Sequence, residues 1–316
     1  MTDDQIIKSF PRYEGPGASG FITDFLGTKT RTSYISGLAK LDGTVIGYPI
    51  PDGCFHATPV EWAGAMRAAR DAKKELVAVE LGAGWGPWLV TLARAARIKG
   101  IHKVNLVGVE GSKAHFDFML SHFADNGLDP RQHTLLHGVV GTTDGEAEFP
   151  IDANPATDWG TKAIYGEAES PVPDPGSLVR RGYRRIKRAV RLLVKGRPQD
   201  PSPSRGAVRY HSGTERVKCF SIPTLLSPFA KVDLVHVDIQ GDEFNVLSSA
   251  RQVLKAKVKR ILVGTHSRSI EEQLLHEMAS QNWELEREEA CKYAQHGSQM
   301  HLVMDGCQIW RNKAIA

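Results

Sequence analysis

The chain has 316 residues, of which 24% are charged and 41% hydrophobic, and it carries a net charge of +4 at pH 7. That length supports one or two domains with a sizeable core, and the composition is that of an ordinary globular protein. No stretch approaches a membrane-spanning length, and the opening MTDDQIIKSF lacks the basic and apolar parts of a secretory signal. Cys54, Cys219, Cys291 and Cys307 are scattered, which argues against a zinc cluster and for a reducing compartment. The expected location is therefore the cytoplasm. The charge is uneven: residues 180–197 hold nine Lys and Arg and no acid, so the rest of the chain is net −5. The chain is a mildly acidic body with one basic segment, not a generally basic nucleic-acid binder.

Residues 1–57 are rich in glycine and aromatics, with short alternating runs such as TVIGYPI and a PDG turn signal at 51–53. They read as a loop-and-hairpin extension and a candidate cover for a binding site. The main domain, residues 58–316, opens on a helix with Thr58 as cap, Pro59 at its first position and Glu61 closing a capping box. Trp62, Met66 and Ala69 share one side of it.

The stretch VAVELGAGWGPWLV, residues 77–90, organises the rest of this domain. It reads as a buried strand, a turn with Gly82, Gly84 and Gly86, and a helix that starts at Pro87. Glycines let the backbone reverse and approach a ligand, and the helix start presents free N–H groups. A dinucleotide turn reads G-x-G-x-x-G, and proline stands at its last position here. Glu80, two residues before the first glycine, would repel a pyrophosphate and welcome an ammonium. The turn is therefore read as one for S-adenosylmethionine, with Gly82, Ala83, Gly84, Trp85 and Gly86 lining the cofactor. Glu80 has an alternative role, holding a loop N–H.

KVNLVGVEG (103–111) is a second buried strand ending in Glu110, followed by Gly111 and a helix from Ser112 that buries Phe116, Met119, Leu120 and Phe123. Glu110 is placed to accept both ribose hydroxyls, with Gly111 and Ser112 beside it. The alternative is an acid capping the next helix. A third strand at 133–141 puts Val139 and Val140 near the adenine and leads into the turn and edge strand DGEAEFP. From about 166 to 206 Pro-rich linkers flank the basic segment. If helical, this segment places Leu178, Val179, Tyr183, Ile186, Val190, Leu193 and Val194 opposite its cations. An anionic membrane surface or a lipid-linked substrate would suit such a face at 178–197, putting the protein at the inner membrane face. The alternatives are a solvated insertion or an acidic partner. With Tyr183 as its one aromatic it would stack bases poorly, so nucleic acid is not expected.

The alternation resumes at VKCFSI (217–222) and VDLVHVDIQGDEFNVL (232–247). VKRILVGTH (258–266) comes next, ending in His266, with a helix capped by Ser269 and Glu272. WELERE and MHLVMDGCQIW make two late strands joined by a loop at 289–299. Five parallel strands with helices and a terminal hairpin predict a doubly wound, mostly parallel, seven-stranded α/β sheet of Rossmann-like type.

The order of VELGAGWG, VGVEGS, NGL–DGEAEF and VDLVHVDIQGDEFNVL resembles the class I methyltransferases, and within them the FkbM-type O-methyltransferases. The resemblance spans roughly residues 76–267 without the insert. His236 stands where that family usually has lysine, and Gln240 where it has glutamate. The resemblance implies transfer of a methyl group from S-adenosylmethionine to a hydroxyl of a sugar in a glycan, glycolipid or glycosylated metabolite. Two alternatives are a polyketide or other small-molecule hydroxyl, and a membrane-associated cofactor-binding scaffold without catalysis. An in-line displacement needs alignment and help with the hydroxyl proton. His266 is the first candidate base, with His236 on the same strand face as Asp238 as a second. Asp238, Asp242 and Glu243 are candidate ligands of a divalent metal, against the plainer reading of an acidic first helical turn.

Overall fold

A computed structural model describes residues 1–47, 56–165 and 213–315. The described residues up to 164 and from 213 onward form one compact unit. The basic segment at 178–197 lies outside the described residues, as does Cys54.

In chain order the elements are α1 (Asp3–Lys8), the hairpin β1 (Phe21–Thr23) and β2 (Lys29–Arg31), α2 (Pro59–Asp71), β3 (Leu76–Leu81), α3 (Pro87–Ile98), β4 (Val104–Glu110), α4 (Lys113–Asp125), β5 (Thr134–Gly141) and β6 (Gly145–Pro150). Then come β7 (Thr214–Ser221), α5 (Ile222–Leu226), β8 (Leu234–Val237), α6 (Glu243–Ser249), α7 (Arg251–Lys257), β9 (Arg260–Thr265) and α8 (Arg268–Ser280). The chain ends in β10 (Trp283–Glu289), β11 (Lys292–His296), β12 (Gln299–Met304) and β13 (Gly306–Asn312).

Nine strands form the central sheet in the order β10-β13-β9-β8-β3-β4-β5-β7-β6, two more than the sequence predicts. The seven from β10 to β5 are the expected Rossmann-like core. The other two lie at one edge, where β7, which contains VKCFS, pairs parallel with β5, and β6, the edge strand read in DGEAEFP, folds back antiparallel on β7. A second difference lies near the end. Residues 289–299 are not a simple loop, because β11 and β12 pair there as a separate hairpin. MHLVMDGCQIW thus breaks at Asp305, and only β13 joins the sheet, antiparallel to both β9 and β10. β11, KYAQH, has no buried residue, so hydrophobicity does not announce it.

All six residues of β3 are buried, as a parallel strand covered on both faces requires. On one face α2 and α3 pack Trp62, Met66, Trp88, Leu89 and Leu92; on the other, Val246, Leu254, Leu274 and Met278 come from α6 to α8. Each such side chain contributes ~1.5–3 kcal/mol by burial. The helix starts match the sequence closely. Thr58 and Glu61 form a full capping box with Pro59 at the first turn, and Ser112 caps α4. At α8 the cap is Ser267, not Ser269: its hydroxyl accepts the Ile270 N–H, and the helix begins two residues earlier than expected.

The described part of the N-terminal extension contains the β1–β2 hairpin. It packs on α4 through the Arg31–Asp125 ion pair and the Tyr34 hydroxyl, which donates to the Phe118 carbonyl. Chain order rises from β3 to β4 to β5 in one direction and through β8 and β9 in the other. The reversal between β3 and β8 opens a crevice at the carboxyl ends of the strands, the place where such sheets bind ligands.

Candidate active site

The turn after β3 is built around three glycines in the left-handed region, at φ 74°, 56° and 69° for Gly82, Gly84 and Gly86. Their reasons differ. A Cβ on Gly82 would run into the backbone carbonyl of Asp238, and one on Gly86 would press on Met119 and Phe123. At Gly84 an added Cβ would meet the Trp159 indole at 3.2 Å, a tight contact with a side chain and not with backbone. All three glycines therefore have close neighbours where a side chain would stand.

Glu80 and Glu110 end adjacent strands, and both are buried. Glu80 accepts the N–H groups of Trp88 and Leu89, at 3.4 and 3.1 Å, and so caps α3 from within the sheet. Burial pushes its carboxyl well above the usual range, against the pull of those two donors. This is the N–H-holding role weighed for Glu80 from the sequence. Glu110 accepts the Gly84 and Ser112 N–H groups, both at 2.7 Å, one on each oxygen. Burial raises it as well, while His115 and the two N–H donors lower it. A carboxylate offers about four acceptor directions, so two remain for a pair of vicinal hydroxyls. Val139 and Val140 lie buried at the end of β5, in register with Cys219 and Phe220 of β7.

Three residues around this half escape a reading of the sequence. The Trp159 indole stacks flat on His115, with centroids 3.8 Å apart and planes at 5°, and meets Trp85 edge-on. His115 lies 3.9 Å from both Glu110 and Asp152 and bonds the Pro155 carbonyl. Farther along the same segment, Lys162 pairs with Asp242 at 3.2 Å. Residues 152–162 thus reach from Glu110 across Gly84 to the start of α6. No periodicity marks them; a tryptophan in a polar stretch next to a Pro-rich linker was the available hint.

On the other side of the switch point, Asp238 and His266 lie just past β8 and β9, and Glu243 opens α6. His266 Nδ1 is 2.9 Å from Glu243 Oε1, and its Nε2 is 3.3 Å from Asp238 Oδ1. Glu243 Oε1 also accepts the Ile239 and Gly241 N–H groups, which fixes the turn between β8 and α6. Gly264 makes room for Asp238, whose Cγ would lie 3.4 Å from a Cβ there. Burial lowers the His266 pKa, but the two carboxylates overcome it and push it up to about 11. Partial burial raises Asp238, while His266 pulls it below its usual value. The carboxyl of Glu61, pushed up to about 7 by burial, also feels the Asp238 charge.

His236 is a neighbour of Glu80 rather than of His266. The strand register sets it opposite Glu80, its Nδ1 is 3.7 Å from that carboxylate, and its ring faces Trp88. Burial drives its pKa down to about 4. Of the metal candidates, Asp238 and Glu243 come together with His266, whereas Asp242 turns to Lys162. Cys219, Cys291 and Cys307 are buried thiols outside any disulfide, and Cys219 Sγ donates to the Thr143 carbonyl. Among the described residues, no helix is long and apolar enough to cross a membrane.

No family model matches the chain. Among solved structures, it is similar to a precorrin-8W decarboxylase of Methanobacterium thermoautotrophicum, with 13% identity and a TM-score of 0.39 over 81% of this chain and 90% of that one. It is also similar to a precorrin-6y C5,15-methyltransferase of Geobacter metallireducens GS-15, with 8% identity and a TM-score of 0.39 over 83% and 91%. These overlaps are loose, and the strand order of the sheet itself defines the fold. A protein of Jannaschia sp. (strain CCS1) named "Putative methyltransferase" is 31% identical over 310 residues, 98% of each chain. With that identity along nearly the whole of both sequences, the chain belongs to the same family of methyltransferases.

Proposed function

We propose that the protein is an FkbM-type O-methyltransferase that uses S-adenosylmethionine and methylates a hydroxyl of a sugar in a glycan, glycolipid or glycosylated metabolite. One observation carries the hydroxyl acceptor: His266 is fixed between Asp238 and Glu243 at the strand ends, next to the glycine turn. The sugar is suggested by the resemblance of the VDIQGDE block and its surroundings to that family.

The residues present suit the cofactor. Gly82, Gly84 and Gly86 shape the turn after β3, and Glu110 keeps acceptor directions for two ribose hydroxyls while the Gly84 and Ser112 N–H groups hold it in place. The bound cofactor supplies a methyl group on a sulfonium, ready for in-line displacement. Glu80 acts at one remove, by tying the start of α3 to β3. Asp238 has a side chain 41% exposed, so it can meet an acceptor hydroxyl, while Glu243 is wholly buried and holds the imidazole in place.

Between the two carboxylates His266 is pushed up to about 11, so it stands as an imidazolium at neutral pH beside Asp238, which it holds below its usual value. An acceptor oxygen that took a methyl group would become strongly acidic, and its proton would pass to Asp238, the exposed carboxylate that the imidazolium holds in place. Such help typically supplies ~10²–10⁴-fold in rate. The test is transfer of labelled methyl from S-adenosylmethionine to a panel of glycans and small-molecule alcohols, with and without EDTA. Label on sugar hydroxyls is the expected result; label confined to nitrogen or carbon acceptors overturns the proposal.

A further inference from the structure

We infer that Gln240 is a positioning residue for methyl transfer: its side-chain amide holds the Asp238 carboxylate by one oxygen and leaves the other for the acceptor. The inference rests on the proposed reading of Asp238 as the group that takes the acceptor's proton.

The backbone gives the first observation. Between β8 and α6 the chain passes through two consecutive residues with positive φ, Gln240 at 61° and Gly241 at 111°. Glycine adopts such angles freely, and asparagine does so at modest cost. Among the described residues the one other non-glycine with positive φ is Asn282. Gln240 is thus the exception, a long side chain kept in the left-handed region. The turn is fixed on both sides of it, because Glu243 Oε1 accepts the N–H groups of Ile239 and Gly241. Strain of this kind persists where the surroundings over-determine it, and it collects at functional sites.

The side chain supplies the reason for a glutamine. Gln240 Nε2 donates to Asp238 Oδ1 at 2.8 Å. An ionised carboxylate only accepts, so the amide presents its NH₂ group there. Asparagine, which the backbone would take more readily, is one methylene shorter. The same Asp238 oxygen faces His266 Nε2 at 3.3 Å. Oδ1 therefore has two donors, and Oδ2 is left to receive a hydroxyl proton.

Asp238 needs such a hold. Its side chain is 41% exposed, and Gly264 beside it offers no side chain to wall it in. One donor leaves a carboxylate free to turn about that bond; a second donor from another direction stops the turning. Proton transfer in step with an in-line displacement depends on alignment, and a small misplacement costs more in rate than in binding. Gln240 acts through Asp238 and is not itself a catalytic residue.

The experiment compares Gln240→Met, which keeps the length and loses the amide, and Gln240→Gly, which also relieves the backbone, with Asp238→Asn in the full-length protein. The substrate is the hydroxyl compound that takes most label in the panel of glycans and alcohols. Both Gln240 variants should turn over at least tenfold more slowly, with acceptor KM and S-adenosylhomocysteine affinity within about twofold of the unsubstituted protein. A second measurement needs no acceptor: the urea midpoint for Gln240→Gly with Asp238 intact and in an Asp238→Ala background. Without Asp238 there is no bond to lose and glycine only relieves strain, so the midpoint should rise more there than with Asp238 present. Circular dichroism establishes that each variant is folded. Folded Gln240 variants that turn over at the unsubstituted rate, or a midpoint change equal in the two backgrounds, overturn the inference. Its failure is separable from that of the proton-acceptor reading. A crippled Asp238→Asn beside fully active Gln240 variants removes only the positioning role. A fully active Asp238→Asn removes the proton-acceptor reading, and the positioning role with it.

Discussion

The two halves of the strand-end crevice use the same residue types to opposite ends. At β3 and β4, the carboxylates of Glu80 and Glu110 are each engaged by two backbone N–H groups, so their charge is absorbed by amides and they fix geometry. At β8 and β9, the carboxylates of Asp238 and Glu243 face an imidazole, and the resulting set can gain or lose a proton. A glutamate at a strand end is thus not a function in itself. What it does is decided by whether backbone donors or a titratable side chain reach it first.

If the halves are separable in this way, substitutions in one should leave the other's readout alone. The largest effect is expected from His266→Ala, which should lower turnover by ~10²–10⁴-fold while changing S-adenosylhomocysteine affinity by less than about twofold. Initial rates and equilibrium titration measure the two quantities, and a matching loss of affinity would merge the halves. Next comes Glu110→Ala, which removes the acceptor of two hydroxyls, each worth ~1.5–3 kcal/mol when bonded to a charge. S-adenosylhomocysteine should bind at least tenfold more weakly; equal affinity would strip Glu110 of its ribose role.

A third test concerns the histidines behind the turn. His122 is buried, its Nδ1 bonds the Trp85 carbonyl, and burial lowers its pKa to about 4. It is neutral when folded but protonates near its ordinary value of about 6.5 when unfolded. Its contribution is therefore intact above about pH 6.5 and is lost as the pH falls toward 4. At pH 5.5 the loss is ~1.4 kcal/mol, visible as a smaller drop in urea midpoint between pH 7.5 and 5.5 for His122→Gln than for the unsubstituted protein. A parallel drop in both would assign the acid sensitivity elsewhere. The smallest effect belongs to Glu80→Gln, which keeps one acceptor for the α3 N–H groups. It should cost ~1 kcal/mol of stability with turnover unchanged, and a large loss of turnover would move Glu80 into the chemistry.

Much of the first half was legible in the chain. The glycine spacing, Pro87 and the acid ending VGVE are local signals, because a turn and a strand end are made by consecutive residues. The doubly wound sheet was legible for the same reason, through its buried apolar runs. The second half was legible only in part. Asp238 and His266 stand at strand ends, but their link through Glu243 depends on how α6 packs beside β9, and no spacing reports that. Asp242 and Glu243 looked equivalent until Lys162 claimed one of them. Trp159 and His115 were missed because they meet across a segment without helical or strand periodicity, and β11 because KYAQH has no buried residue; MHLVM was read as a strand but joined to the one after it.

Gly82 carries a consequence beyond its turn. Where a side chain would stand, the backbone carbonyl of Asp238 already lies, and the Asp238 N–H in turn donates to the Leu81 carbonyl. The first glycine of the turn and Asp238, which the proposed function sets at the acceptor, are therefore a single rigid joint, and neither can drift without the other. Variation in what such a protein methylates has little room at this joint. It has to enter through the segments around it, above all residues 152–162, which reach from His115 across Gly84 to Asp242, while the joint keeps its own geometry as they change.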